Sequence, residues 1–192
     1  MELVQPIREI KKIETIKKIL LANETFGSRN HLLFVLGINS GLRISDLLKL
    51  KIKDIMNKGK VKSYIELRET KTSKIKKFPV NKASEKAITR YITSLDEIKP
   101  EMYLFKSRKG DNQAISRVQA WEILNAAAKE VGITEPIGTH SLRKTFGYHA
   151  YQAGIDITLL QKIYNHSAPS ITLRYIGITQ DDIDNVYINL NL

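Results

Sequence analysis

One stretch of this chain keeps a different rhythm from everything around it, and that contrast constrains the fold more than any other feature. From Lys51 to Val80 the pattern turns to alternation with β-branched and aromatic content: Val61, Tyr64, Ile65 and Leu67, the polar turn Thr70-Lys71-Thr72-Ser73, then Ile75 to Val80. On both sides of it, apolar residues recur at helical spacing. The predicted architecture is mainly α with a small antiparallel β-sheet at one edge, α+β in class.

The helical segments carry their own punctuation. Ile13, Ile16 and Leu20 follow Pro6 at helical spacing, and His31 to Ile38 ends near Gly41, where a left-handed cap costs little. Ser45 is the predicted N-cap of a short helix through Leu47, Leu48 and Leu50, which places Arg43 in the tight connection before it. Asn81 caps a helix carrying Ala87, Ile88, Tyr91 and Ile92; Ser116 caps another carrying Val118, Trp121, Ile123 and Leu124 and stopping at Gly132. Thr139 is the expected cap of a helix from His140 to about Ala153, with Gly154 as its stop. Ile157 to Tyr164 reads as the next helix, and a short one through Ile171 and Tyr175 follows Pro169. Asp181, Asp182, Ile183, Val186, Tyr187 and Leu190 make a final amphipathic helix, with acids where the helix dipole favours them.

A chain of 192 residues with 42% hydrophobic content buries one sizeable core, so a single domain over 1–192 is expected. The 31 Lys plus Arg against 20 Asp plus Glu leave a net charge of +11, a field that concentrates polyanions, and nucleic acid is the leading partner. With no cysteine, disulfides, thiolate zinc sites and cysteine nucleophiles are excluded. The first residues lack the pattern of a secretory signal and no apolar run spans a bilayer, so a cytoplasmic location without membrane contact is expected.

Phosphate-loop, dinucleotide and paired-histidine zinc motifs are absent, so no cofactor or metal is expected. Asp181, Asp182 and Asp184 suit a helix start better than a metal site, and His31 and His149 sit within apolar helical segments as packed or surface histidines rather than ligands. His140 and Arg143 differ. Three apart, they share a helix face in the first turn, where free backbone N–H groups already favour an anion. Arg43, in its tight connection, is a second fixed cation whose planar fork matches two phosphate oxygens.

In order along the chain come Gly41-Leu42-Arg43-Ile44-Ser45-Asp46-Leu47-Leu48, Thr70-Lys71-Thr72, His140-Ser141-Leu142-Arg143, and Asn165-His166-Ser167 with Tyr175 nine residues beyond His166. This set resembles the tyrosine recombinases, or phage integrase family, from about Arg43 to Tyr175. The resemblance implies a tyrosine-recombinase catalytic-domain fold and site-specific cleavage and rejoining of double-stranded DNA through a 3′-phosphotyrosyl intermediate, without metal or ATP. It implies Arg43, Lys71, His140, Arg143, His166 and Tyr175 as the catalytic set, with Tyr175 the nucleophile and Lys71 the proton donor to the departing 5′ oxygen. It also implies self-association on DNA, with the C-terminal helix as the candidate contact, and residence with the nucleoid when DNA-bound.

Three features depart from the family pattern. Asn165 stands where glycine often precedes the histidine, and asparagine tolerates the left-handed conformation. Lys144 follows Arg143 where the family often has His or Arg. Lys74, Lys76 and Lys77 crowd the hairpin near Lys71 and read as a solvated charge run contacting phosphates non-specifically. Only some forty residues precede Arg43, so the usual N-terminal core-binding domain is expected to be absent. The rivals are a non-cutting DNA-binding regulator on the same scaffold and a type IB topoisomerase; completeness of the six residues opposes the first.

Overall fold

The structure is a computed structural model that describes residues 4–178 and 180–189. α1 (Ile10–Ala22) buries Ile13, Ile16 and Leu20, as their spacing requires. α2 (Gly27–Ser40) is apolar around most of its circumference: Leu32, Leu33, Phe34, Val35 and Leu36 are all at most 2% exposed. It is the central helix, packing on α1, α5 (Lys82–Thr93) and α7 (Thr139–Gln152). Gly41 ends it at φ +59°, and a Cβ there would lie 2.8 Å from the Phe146 ring, so both conformation and space call for glycine.

α3 (Ile44–Leu47) starts two residues earlier than the serine signal suggested. Arg43 itself holds the extended cap position, and Ser45 lies inside the helix with no capping bond. α4 (Ile52–Ile55) is a helical turn within the stretch expected to be wholly β. Tertiary contact overrides its β-branched content: the Ile52 and Lys53 amides donate to the carbonyls of Met102 and Pro100 at 2.9 and 3.0 Å. Two antiparallel pairs follow instead of one sheet: β1 (Met56–Asn57) with β2 (Lys60–Val61), and β3 (Tyr64–Arg68) with β4 (Ile75–Pro79). In the longer hairpin Tyr64 faces Pro79 and Arg68 faces Ile75, which leaves Thr70 to Ser73 in the turn.

Asn81 caps α5 by accepting from the Ser84 amide, and Ser116 caps α6 (Arg117–Glu130) by accepting from Gln119. The buried stripe of α6 is Ala120, Leu124, Ala127 and Ala128. Val118 and Trp121, expected on that stripe, fall off the i, i+4, i+8 line through Ala120 and are 62% and 48% exposed. α7 begins at Thr139, with Gly138 rather than Thr139 in the cap position, and the Gly138 amide donates to Ser141 Oγ at 3.1 Å. α8 (Ile157–Tyr164), α9 (Pro169–Ile176, with proline in its first turn) and α10 (Gln180–Asn189) complete the chain. Tyr187 on α10 is exposed; the side chains of Asp181, Ile183 and Val186 and all of Leu190 lie outside the described residues.

The segment before α1 straps the back of α7. Lys144 Nζ donates to the Val4 carbonyl at 2.7 Å, the Ile7 amide donates to Thr145 Oγ1 at 2.9 Å, and Arg8 reaches the Gly177 carbonyl at 3.0 Å just past α9. Gly147 lets α7 close on α8 and α9: a Cβ there would collide with the Tyr164 hydroxyl and come within 2.6 Å of Ile176 Cγ2. That close approach brings Tyr164, Leu160 and Ile176 into one small apolar cluster against which Tyr175 packs. Among the described residues no helix is long and apolar enough to cross a membrane.

Candidate active site

The first turn of α7 presents His140 and Arg143 on one face while Leu142 points the other way, into Gly37 of α2. Arg143 is 2% exposed and already fixed. Its guanidinium donates to the Gly41 carbonyl through Nη1 and to the Tyr164 carbonyl at 3.2 Å through Nη2. It also lies 4.4 Å from the centre of the Tyr164 ring. Arg43 reaches the same region from the α2–α3 connection, its Nη1 donating to Glu69 Oε1 at 2.9 Å.

Asn165 ends α8 in the left-handed conformation at φ 55°, as its substitution for glycine requires, and turns the chain so that His166 faces α9. Nδ1 of His166 is 3.0 Å from Thr172 Oγ1, which leaves the other ring nitrogen for a ligand. Tyr175 sits on α9 with its ring centre 5.1 Å from that of His166 and 5.4 Å from that of Tyr164, both edge-on. Its hydroxyl is 3.5 Å from Nδ1 of His140, a loose contact between the phenol and an imidazole one helix away.

The electrostatics follow from crowding cations into a partly dry space. Burial raises the Tyr175 hydroxyl above its ordinary pKa, opposed by the charges of Arg143 and Arg43. His140 is held below the ordinary histidine value by packing around the ring and then by Arg117, Arg143, Lys144 and Arg43. Burial, then Arg143 and Arg43, do the same to His166. Both imidazoles are therefore biased toward the neutral form, in which each carries a nitrogen able to accept a proton.

Five of the six expected residues converge: Arg43, His140, Arg143, His166 and Tyr175. Lys71 does not. It is exposed in the β3–β4 turn, and among the described residues no hydrogen bond or ion pair joins it to the other five. Lys76 corrects the expectation of a solvated charge run. It is half-buried, with Nζ 3.4 Å from the carbonyls of both Gly41 and Ile163, and burial followed by the charge of Arg143 pushes its pKa down to about 8. The alternation of β4 was the signal available for this, since Lys76 shares its inward face with Phe78. Lys77 is exposed beside the Tyr64 ring, and Lys74 is exposed and donates to Asn165 Oδ1 at 3.3 Å.

Sequence reasoning passed over Glu69, which is 1% exposed beneath Arg43, and Asp46, whose Oδ1 accepts from the Thr70 amide at 2.8 Å. Burial raises the Glu69 carboxyl, but the Thr72 hydroxyl and the charges of Arg43 and Lys76 outweigh it, and the net pKa lies below the ordinary value. Among the described residues no group of three or more His, Cys, Asp or Glu side chains is placed to hold a metal ion.

Comparison with known proteins places these features in context. Residues 9–181 match the phage integrase family. A probable integrase/recombinase, YoeC of Bacillus subtilis, is 47% identical over 181 residues, covering 94% of this chain and 93% of that protein. Tyrosine recombinase XerD of Listeria innocua is 27% identical over 195 residues; the match takes in 95% of this chain but 62% of XerD. The crystal structure of XerA recombinase superposes with a TM-score of 0.74 at 21% identity, covering 98% of this chain and 67% of that one. The catalytic domain of bacteriophage HP1 integrase superposes at 0.58 and 18% identity, covering 96% and 95%. At these identities the superpositions establish the fold.

Proposed function

This chain belongs to the phage integrase family and carries the tyrosine recombinase catalytic domain, and from that footing we propose that it cuts and rejoins duplex DNA site-specifically through a 3′-phosphotyrosyl bond to Tyr175. The observation that carries the reading is the 3.5 Å approach of the Tyr175 hydroxyl to His140 Nδ1, with Arg43 and Arg143 gathered behind it. Phosphodiester cleavage needs a nucleophile, a proton acceptor and positive charge where the phosphorane becomes most negative, and this arrangement offers all three.

In the proposed step Tyr175 Oη forms a bond to phosphorus and its proton passes to His140. The bond from phosphorus to the 5′ oxygen breaks, and that oxygen takes a proton from the ammonium of Lys71 on the hairpin. Arg43 and Arg143 hold the two non-bridging oxygens, and His166 adds a hydrogen bond. Attack by a 5′-hydroxyl of another strand reverses the sequence and frees Tyr175, so the phosphotyrosine conserves the bond energy and ATP is not required. Charge stabilisation comes from the arginines and lysine in place of a divalent ion.

Residues 1–192 act on this reading as one catalytic domain, binding double-stranded DNA through the +11 surface and self-associating on it through the C-terminal helix, in the cytoplasm where the nucleoid lies. The test is incubation with nicked suicide duplexes drawn from a randomised library, in buffer containing EDTA. A denaturant-resistant protein–DNA adduct enriched in particular sequences is expected. Cleavage that leaves no adduct and returns only with an added divalent metal would contradict the proposal.

A further inference from the structure

Glu69 takes no part in the chemistry above, yet it is a fully buried anion near the site that gathers three donors from three separate segments. Oε1 accepts from Arg43 Nη1 at 2.9 Å; Oε2 accepts from Thr72 Oγ1 at 2.6 Å and from Asn165 Nδ2 at 3.3 Å. Its backbone closes the hairpin turn: the Glu69 amide donates to the Lys74 carbonyl at 2.9 Å and the Ser73 amide donates back at 3.0 Å. Asn165 is bonded on both sides of its amide, since its Oδ1 accepts from Lys74 Nζ at 3.3 Å.

We infer that Glu69 and Asn165 are positioning residues, a latch that fixes the hairpin turn presenting Lys71 against the α8–α9 turn presenting His166, with Arg43 held in the same network. The inference rests on the reading of Lys71 as proton donor to the 5′ oxygen. A two-stranded hairpin is marginal by itself, and Lys71 is exposed in its turn. A proton donor there is useful only if its base is held, because a misplacement of about 1 Å can cost on the order of a hundredfold in rate. Among the described residues, the hydrogen bonds that join this turn to the α8–α9 turn are made by the side chains of Glu69, Lys74 and Asn165, with Lys76 on β4 reaching the Ile163 carbonyl beside them. A glycine at 165 would keep the left-handed turn and lose both bonds, so the asparagine adds a connection that the backbone conformation does not require.

The decisive variant is Asn165→Gly, which removes the latch while retaining the φ of 55° at no steric cost. Glu69→Gln, which keeps size and one acceptor but loses the charge, is its companion. Each is assayed on two versions of a duplex recovered from the adduct selection: one with the natural phosphodiester, one with a 5′-bridging sulfur whose thiolate leaves without a proton donor. On the natural duplex Asn165→Gly should slow adduct formation on the order of tenfold at saturating protein, with DNA affinity unchanged, and the bridging sulfur should restore the parent's rate. Parent-like cleavage of both duplexes, or equal slowing on both, would overturn the latch. Lys71→Ala is the control for the underlying reading: slowing on the natural duplex that the sulfur does not relieve would overturn Lys71 as donor, and the purpose of the latch with it.

Discussion

Arg143 and Tyr164 hold one another through three distinct contacts: the guanidinium lies 4.4 Å from the centre of the phenol ring and donates to the Tyr164 carbonyl at 3.2 Å, and the phenol hydroxyl donates to the Arg143 carbonyl at 2.7 Å. Tyr164 is 1% exposed, and burial drives its hydroxyl pKa far upward. It is a structural phenol beside a chemical one. Tyr164→Phe keeps the ring under the guanidinium and loses one hydrogen bond, so chemical denaturation should show a loss of about 1 kcal/mol. Covalent attachment to DNA should persist.

Gly147→Ala should do more harm. The added methyl meets the Tyr164 hydroxyl and Ile176, both fully packed, so neither can step aside without moving α8 or α9. Overpacking of this kind costs about 1–3 kcal/mol. Because α9 carries Tyr175, adduct formation should fall as well, and retained stability with normal cleavage would mean that α7 does not set the position of α9.

Arg43→Lys and Arg143→Lys separate rate from affinity. Lysine keeps the charge and loses the planar fork, so DNA binding should change little while single-turnover cleavage drops on the order of a hundredfold or more. Lys77→Ala, an exposed hairpin charge, should weaken binding across sequences and flatten its salt dependence, with cleavage at saturation unaffected. Filter binding against salt and adduct formation against time distinguish the two patterns.

Much of the site was readable from sequence because its parts are local. The left-handed Asn165, the glycine after α2 and the asparagine and serine caps of α5 and α6 are decided within four residues of themselves, and all stand where local chemistry put them. α4 escaped notice because its helical turn depends on the carbonyls of Pro100 and Met102, about a quarter of the chain away. Trp121 looked like core because it stands among the apolar residues Val118, Ile123 and Leu124, whereas the stripe of α6 that is buried consists of Leu124 and three alanines. Lys76 and Glu69 owe their burial to α8, α3 and the turn at Asn165, so in one dimension they resemble any charged hairpin residues.

The pH dependence of cleavage should report His140. It accepts a proton only when neutral, and it is held below its ordinary pKa of 6.5, so the acid limb of the rate should lie below pH 6.5. Arg117 is the first of the charges that depress it. Arg117→Ala removes a positive neighbour, favours the imidazolium, raises the pKa and should move the acid limb to higher pH. A limb that stays in place would assign the proton to another group.

The most direct measurement is the identity of the residue that carries DNA. The adduct trapped on a nicked suicide duplex is digested with protease and nuclease, and the nucleotide-bearing peptide is sequenced by mass spectrometry, in parallel with the Tyr175→Phe protein. The phenylalanine variant loses one oxygen and little packing, so it should bind DNA as the parent does. The account predicts a nucleotide on Tyr175 alone and no adduct from Tyr175→Phe; a nucleotide on Tyr148, Tyr164 or Tyr187, or an adduct that survives Tyr175→Phe, would contradict it.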